Sequence, residues 1–238
     1  MHATNIHIFD DSGQAAAAAG DALIACAKAS GARPIGLATG QTMTPLYDHL
    51  LKIENQENSL FASTVFSQLD EIIGRPSPVA SFAHELTTSL FSNFRTAPAG
   101  FLMIDGQAGD PAGEAVRHCH AIRKAGGLAM QLLGIGVNGH VGFNEPGSPD
   151  DSRCRIIDLA ASTIQRNGYD VGMQGITLGI ADIRAAEQII LVATGAAKAA
   201  AIRAMVNGPK TPDCPASLLR DHPDIRLFLD NEAAGHIC

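Results

Sequence analysis

The sequence is short of positive charge, of paired cysteines and of long apolar runs, and each shortage excludes a class of protein. It has 17 lysines and arginines against 24 aspartates and glutamates, which gives a formal net charge of −7. An acidic surface repels a phosphate backbone, so we expect no nucleic-acid partner. A small anionic substrate is still compatible with this charge, because a local group of donors can outweigh the net field.

The 5 cysteines are odd in number and scattered, and none forms a C-x-x-C pair. This pattern favours neither a disulfide framework nor a zinc ribbon. The stretch His118-Cys119-His120 resembles a ligand cluster, but successive residues on a helix point in different directions. We therefore predict no metal site, and interpret this stretch as a surface helix with a buried thiol.

No apolar run approaches the ~18 residues that a membrane span needs. Polar Asp10-Asp11-Ser12 comes before any apolar segment of the kind found in signal peptides. We therefore expect a cytoplasmic protein with no membrane partner.

What the sequence does have is a regular alternation of short apolar runs and helical patterns. This order is typical of a mostly parallel sheet that carries helices on both faces. No linker divides the sequence, so we expect one α/β domain over residues 1–238, with its ligand site beyond the carboxyl ends of the strands. The predicted strands are 6–9, 34–38, 64–69, 101–104, 129–135, 155–159, 174–179, 188–193 and 225–229, and the predicted helices are 12–29, one from 44, 80–94, 112–124 and 196–206.

Two predicted strands run into a glycine and then into the start of a helix. The first turn reads Thr39-Gly40-Gln41-Thr42, and free amides at such a helix start suit an anion such as phosphate. An ordinary capped turn has the same pattern, so both interpretations stay open. The second reads Thr194-Gly195-Ala196-Ala197-Lys198. A cation in a first helical turn opposes the helix dipole unless an anion lies there, which makes Lys198 a candidate phosphate ligand.

Two adjacent carboxylates, Asp70 and Glu71, lie at the end of the third predicted strand. Neighbouring side chains on a strand point to opposite faces, so these two cannot share one task. One could face a cleft as a base while the other pairs with a neighbour or with solvent. The alternative is a pair of solvated loop acids.

The strongest motif is residues 133–147, LGIGVNGHVGFNEPG. Gly136 and Gly139 allow the backbone to wrap closely around a ligand. Histidine side chains can accept and deliver protons in catalysis, and Glu145 could fix the tautomer of His140. The alternative is a structural histidine in a glycine-rich loop.

Together these segments resemble the glucosamine-6-phosphate deaminases, within the larger group that includes the 6-phosphogluconolactonases. The resemblance covers nearly the whole chain, and GHVGFNEPG is its most specific part. It implies a single Rossmann-like domain that converts glucosamine 6-phosphate and water into fructose 6-phosphate and ammonia without a metal or other cofactor. It leaves open whether the chain is a monomer or a homo-oligomer. The segments are IGLATGQT, LDEIIG, LLGIGVNGHVGFNEPG, QGITLGIADI, ILVATGAAKA and PASLLRDHP.

The resemblance also implies roles for individual residues. Asp70 matches the base that moves a proton between C2 and C1 of the sugar, and His140 matches the residue that opens the pyranose ring. Glu145 matches the acid that supports this histidine. Asn138 stands where many members have Asp, and we expect it to serve as a neutral hydrogen-bond partner.

The same resemblance assigns the substrate's phosphate to Gly40, Thr42 and Lys198. The family's substrate-gripping arginine precedes the ITLGI stretch, and the nearest candidate is Arg166, about three positions early. Tyr169 occupies the expected register.

Three alternatives remain at this point. The shifted arginine, with Gln41 and Met43 where the family usually has Ser and Pro, makes galactosamine 6-phosphate an alternative substrate. Lactone hydrolysis is a second alternative, against which Asp70 and Glu145 both argue. A sugar-phosphate sensor is the third, although a regulator of that kind needs a DNA-binding module for which the continuous α/β pattern leaves no room.

Overall fold

The computed structural model describes residues 5–57, 59–74, 81–160, 164 and 172–237. Strands and helices alternate along most of this length. The strands are β1 Ile6–Phe9, β2 Ile35–Leu37, β3 Val65–Gln68, β4 Asp70–Ile72, β5 Gly100–Leu102, β6 Met130–Leu133, β7 Arg155–Asp158, β8 Gln174–Thr177, β9 Gln188–Ala193 and β10 Ile225–Asp230. The helices are α1 Ser12–Ala29, α2 Thr44–Gln56, α3 Phe82–Ser89, α4 Pro111–Lys124, α5 Ile180–Arg184, α6 Ala199–Asn207 and α7 Asn231–Ala234.

Seven strands form one parallel sheet in the order β1-β10-β9-β6-β2-β3-β5. Its central strands β6 and β9 are buried along almost their whole length. A parallel sheet needs cover on both faces, which explains why these strands are apolar throughout instead of alternating. The predicted α/β class with a mostly parallel sheet is confirmed.

Helix α1 shows how sequence and packing agree. Asp11 caps it by accepting a 2.8 Å hydrogen bond from the Gln14 amide. Its buried face consists mainly of alanines with Leu23 and Ile24, and such small side chains allow the helix to lie close to the sheet and to α2.

A second, three-stranded antiparallel sheet has the order β4-β8-β7. The predicted strands 155–159 and 174–179 are present as β7 and β8, and they belong to this small sheet and not to the main one. The chain leaves the main sheet after β3, and the amide and carbonyl of Leu69 bond to Leu37 and Leu178 respectively. Asp70 then pairs with Thr177 in the small sheet, so it lies at the junction of the two sheets.

Two predicted helices are divided in the structure. The helix expected over 80–94 is α3 followed by a 3₁₀ turn, Phe91–Asn93. The helix expected over 196–206 begins as a 3₁₀ turn, Ala196–Lys198, before α6. In the part of the chain that the structure describes, we find no helix with both the length and the apolarity to cross a membrane.

Candidate active site

A cavity of about 840 Å³ opens at the carboxyl ends of four neighbouring strands of the main sheet, β2, β3, β6 and β9. This is the edge at which ligands bind in open α/β sheets. Most residues that the sequence singled out lie in its wall. The lining residues are Ala38, Thr39, Gly40, Gln41, Thr42, Met43, Thr44, Leu69, Asp70, Phe82, Glu85, Gly134, Ile135, Gly136, His140, Gly142, Phe143, Thr194 and Lys198.

The turn after β2 presents free backbone amides to this cavity. Gly40 has φ +104°, a conformation that side-chain-bearing residues rarely adopt, and its carbonyl accepts from the Met43 amide. The amides of Gln41 and Thr42 have no hydrogen-bond partner among the described residues, as expected at a helix start. The Gly40 amide itself donates to Oε1 of Glu85 at 2.9 Å.

The turn after β9 differs from this first turn. Its amides are occupied by carboxylates of the chain, since the Gly195 amide donates to Asp230 and the Ala196 amide donates to Glu232. These two carboxylates provide the negative charge that offsets the unfavourable position of Lys198 in a first helical turn. The Lys198 ammonium reaches across the cavity wall and donates to the Ile135 carbonyl at 2.6 Å. Lys198 therefore brings positive charge to the same cavity as the first turn.

Asp70 is buried, with 6% of its surface exposed. Burial raises the pKa of its carboxyl from 3.8 to about 8, and the negative charges of Glu71 and Glu85 add to this effect. A carboxylate with such a pKa is a much stronger base than one in water. Its backbone is held by the β4–β8 pairing and by a 2.8 Å hydrogen bond from the Gln68 side chain to its carbonyl.

Glu71 has a different environment, although it is equally hidden from solvent. Its carboxylate accepts hydrogen bonds from the amides of Ile72, Phe82 and Ala83 and from the Gln68 side chain, all between 2.8 and 3.0 Å. Two of these donors are the first amides of α3. Neither acid is solvated, so the alternative of two loop acids is wrong. Glu71 has no acceptor capacity to spare for a ligand, whereas Asp70 faces the cavity.

The loop after β6 holds His140 between a glycine and a carboxylate. Its Nδ1 lies 3.4 Å from Oε1 of Glu145, a contact too long for a good hydrogen bond. The other oxygen of Glu145 accepts from the Asn138 side chain at 2.7 Å. A Cβ at Gly136 would lie 2.3 Å from the imidazole ring, so glycine is required for the ring to sit against the backbone.

This loop also passes directly over Asp70. Gly142 has φ +55°, and a Cβ there would lie 3.4 Å from Oδ2 of Asp70 and 3.0 Å from Oγ1 of Thr177. The base candidate and the histidine loop, 70 residues apart in their positions along the chain, are therefore adjacent in space and open into one cavity.

Two sequence predictions fall outside this cavity or outside the described chain. Arg166 and Tyr169 lie outside the described residues. The stretch His118-Cys119-His120 does not converge on a point: His118 is buried and donates to the Gln68 carbonyl, and His120 is exposed. Burial lowers the pKa of His118 to about 4, so its ring is neutral. Among the described residues, no group of three or more His, Cys, Asp or Glu side chains could hold a metal ion.

Sequence reasoning did not single out the two aromatic residues and the glutamate of the cavity wall. Phe82 and Phe143, whose ring centroids are 5.8 Å apart, form an aromatic wall beside the opening. Glu85 lies on α3, where an acid in the first turns of a helix usually needs no further explanation. Only the tertiary contact with Gly40 distinguishes Glu85 from an acid that merely favours the start of its helix. No local sequence pattern indicates that contact.

A second cavity, of about 280 Å³, lies near the amino ends of β9 and β10. Its charged groups are already paired, since Arg33 contacts Glu187 and Arg226 contacts Asp224. It brings together no candidate base or nucleophile other than Cys26, whose thiol pKa is raised by burial. The carboxyl-end cavity is therefore the better candidate for chemistry.

Comparison with known proteins agrees with this geometry. Residues 10–227 match the family described as glucosamine-6-phosphate isomerases/6-phosphogluconolactonase. A glucosamine-6-phosphate deaminase of Staphylococcus aureus (strain bovine RF122 / ET3-1) is 39% identical over 207 residues, which are 84% of this chain and 82% of that protein.

Solved structures give the same result. A monomeric glucosamine-6-phosphate deaminase superposes with a TM-score of 0.92 at 30% identity, over 98% of this chain and 99% of that one. The 6-phosphogluconolactonase of Trypanosoma brucei superposes with a TM-score of 0.75 at 20% identity, over 98% of each chain, and shares the fold. The family match covers most of the sequence, and the predicted resemblance is confirmed: the chain belongs to the glucosamine-6-phosphate isomerase/6-phosphogluconolactonase family.

Proposed function

We propose that the chain isomerises and deaminates a hexosamine 6-phosphate, converting glucosamine 6-phosphate and water into fructose 6-phosphate and ammonia. The observation that carries the proposal is the shared cavity of Asp70 and the His140–Glu145 loop, in a chain that is 39% identical to a glucosamine-6-phosphate deaminase. A high-pKa carboxylate and a histidine are the two kinds of group that this reaction needs.

The phosphate of the substrate is assigned to the turn after β2. The free amides of Gln41 and Thr42 and the Thr42 hydroxyl provide donors, and Lys198, which lines the same cavity, provides positive charge. Gly40 allows close approach, because it has no side chain at the cavity surface. Arg166 remains a predicted ligand of the sugar.

Ring opening is assigned to His140. The closed pyranose must transfer the proton of its C1 hydroxyl to the ring oxygen, and an imidazole can accept one proton and deliver the other. Glu145, whose Oε1 lies 3.4 Å from Nδ1 of His140, stabilises the charged form of the ring, and Asn138 holds Glu145 in place through its 2.7 Å hydrogen bond.

The isomerisation is assigned to Asp70. Its carboxylate removes the proton from C2 of the open-chain aldose while the carbonyl oxygen at C1 takes up a proton, which gives an enolamine. The carboxylic acid returns a proton to C1, and the nitrogen at C2 releases one proton as it becomes an imine. Water adds to the imine carbon and ammonia leaves, so that C2 ends as a ketone. The reaction is redox-neutral overall, because C1 is reduced as C2 is oxidised.

An assay on a panel of sugars tests the proposal. The enzyme should release equal amounts of ammonia and fructose 6-phosphate from glucosamine 6-phosphate, and little ammonia from unphosphorylated glucosamine. Faster release from galactosamine 6-phosphate would change the epimer and keep the reaction. Hydrolysis of 6-phosphogluconolactone with no ammonia from any hexosamine phosphate would contradict the proposal.

A further inference from the structure

Glu85 is a carboxylate of the cavity wall to which the mechanism above gives no task. It lies on α3, and its Oε1 is fixed by the 2.9 Å hydrogen bond from the Gly40 amide. Its other oxygen, Oε2, accepts no hydrogen bond from any described residue. The chain thus orients the side chain through one oxygen and leaves the second one available at the cavity.

Glu85 lies in the cavity wall close to both the β2 turn and Asp70. On one side it contacts Gly40, which belongs to the turn assigned to the phosphate at C6. On the other side its charge acts on Asp70, which is assigned to C1 and C2, and raises the pKa of that carboxyl. A sugar that extends from the turn to Asp70 therefore passes Glu85 with its middle carbons.

The middle of a hexosamine 6-phosphate carries hydroxyls at C3 and C4. We propose that Glu85 is a specificity-determining residue whose free oxygen accepts a hydrogen bond from one of these two hydroxyls, an inference that rests on the proposed function. Hydrogen bonds from a hydroxyl to a carboxylate are short and roughly twice as strong as neutral ones. A site that binds a hydroxyl in this way rejects an analogue without it, because the acceptor is left unpaired.

A purely structural role of Glu85 makes a different prediction. If the side chain only held Gly40, the Glu85→Gln variant would retain full activity, since the amide oxygen of Gln can still accept a hydrogen bond from the Gly40 amide. Gln lacks the negative charge, however, and its free end is a donor. The variant therefore keeps the contact with the turn and loses the charged acceptor for the sugar.

The test compares the kcat/KM of wild type and of Glu85→Gln on three substrates. We expect the wild-type kcat/KM to fall ~10- to 100-fold when the substrate is 3-deoxy- or 4-deoxyglucosamine 6-phosphate in place of the parent sugar, for at least one of the two. In Glu85→Gln the same deoxygenation should cost less than about threefold, and the parent sugar should show a raised KM with little change in kcat. Glu57→Gln removes a surface charge that pairs with Lys28, and it should retain the wild-type penalty.

The result that would overturn the inference is an equal penalty for each missing hydroxyl in wild type and Glu85→Gln, whether large or small. Its failure is distinguishable from that of the proposed function. If wild type releases ammonia from glucosamine 6-phosphate and this comparison shows no difference in penalty, only the inference falls. If wild type releases none from any hexosamine phosphate, both fall.

Discussion

Two properties of Asp70 oppose each other: its burial, and the negative charge that the proposed reaction requires of its carboxyl group. Its carboxyl is removed from water and lies near Glu71 and Glu85, so its ionised form is disfavoured and its pKa rises to about 8. A buried acid of this kind lowers the stability of the fold while it raises the basicity of the group.

The titration of Asp70 predicts a pH-dependent gain of stability in Asp70→Asn. The folded chain keeps this proton up to about pH 8, whereas the unfolded chain releases it near 3.8, so the contribution of the wild-type residue falls as pH rises through this window. Asn does not titrate. The Tm advantage of the variant should be larger by at least ~2 °C at about pH 8.5 than at about pH 5, as measured by thermal unfolding.

A control and an opposite outcome are both available for this measurement. Asp48 is an exposed acid, and Asp48→Asn should give a Tm difference that is nearly constant with pH. If Asp70→Asn behaved in the same way as Asp48→Asn, the pKa of Asp70 would not be raised in the folded chain.

The sequence identified individual candidate residues but not the tertiary contacts that define their environment. The strand-end position drew attention to the pair Asp70 and Glu71, and only the resemblance to the deaminases selected Asp70 from it, whereas the glycine-dense loop itself pointed to His140 and Glu145. The separation of tasks between Asp70 and Glu71 was expected from strand geometry, but two of the three amides that bind Glu71 come from α3, which no local pattern indicates. The catalytic roles themselves stay predictions.

At the scale of elements, Glu71 connects the small sheet to the helix that carries Glu85. Its carboxylate lies in β4 and accepts from the first two amides of α3. Negative charge at a helix N-terminus is favourable, and here a neighbouring strand supplies it from a fully buried position. Asp70 and Glu85 thus have a common support, since one neighbours Glu71 in the chain and the other lies on the helix that Glu71 binds.

Removing the charge of Glu71 should therefore destabilise the fold. Glu71→Gln places an amide donor against backbone N–H groups, and we expect it to lower the free energy of unfolding by about 2–4 kcal/mol. Denaturant unfolding measures this loss. The exposed glutamate of the Lys28–Glu57 pair provides the matched control, and Glu57→Gln should cost no more than about 0.5 kcal/mol. Equal losses in the two variants would contradict the supporting role of Glu71.

The order of strands and helices was predictable where the two kinds of element alternate regularly along the chain. Helix α1 and strands β1 and β9 have the predicted bounds. The small sheet was not predictable, because β4 has three residues and contains two acids. Such a strand exists only through its pairing with β8, a contact between segments about a hundred residues apart.

At the scale of the whole molecule, the sheet positions the chemistry. Four adjacent parallel strands end at one edge, and each delivers one part of the site: the amide turn, Asp70, the histidine loop and Lys198. This arrangement explains why residues so distant in sequence form one cavity, and why the motifs were visible at strand ends before the fold was known. The family match agrees with it over residues 10–227.

The central claim is that Asp70 moves the proton between C2 and C1 in this cavity. The most direct measurement is the transfer of deuterium from solvent to the sugar, followed by NMR during turnover of glucosamine 6-phosphate in deuterated water. Wild type should lose the C2 proton at the rate of turnover, and C1 of the fructose 6-phosphate should receive either this proton or solvent deuterium that has exchanged onto the Asp70 carboxyl. Asp70→Asn should slow loss of the C2 proton at least ~10²-fold, with KM changed much less. Loss of the C2 proton at the wild-type rate in Asp70→Asn would contradict the account.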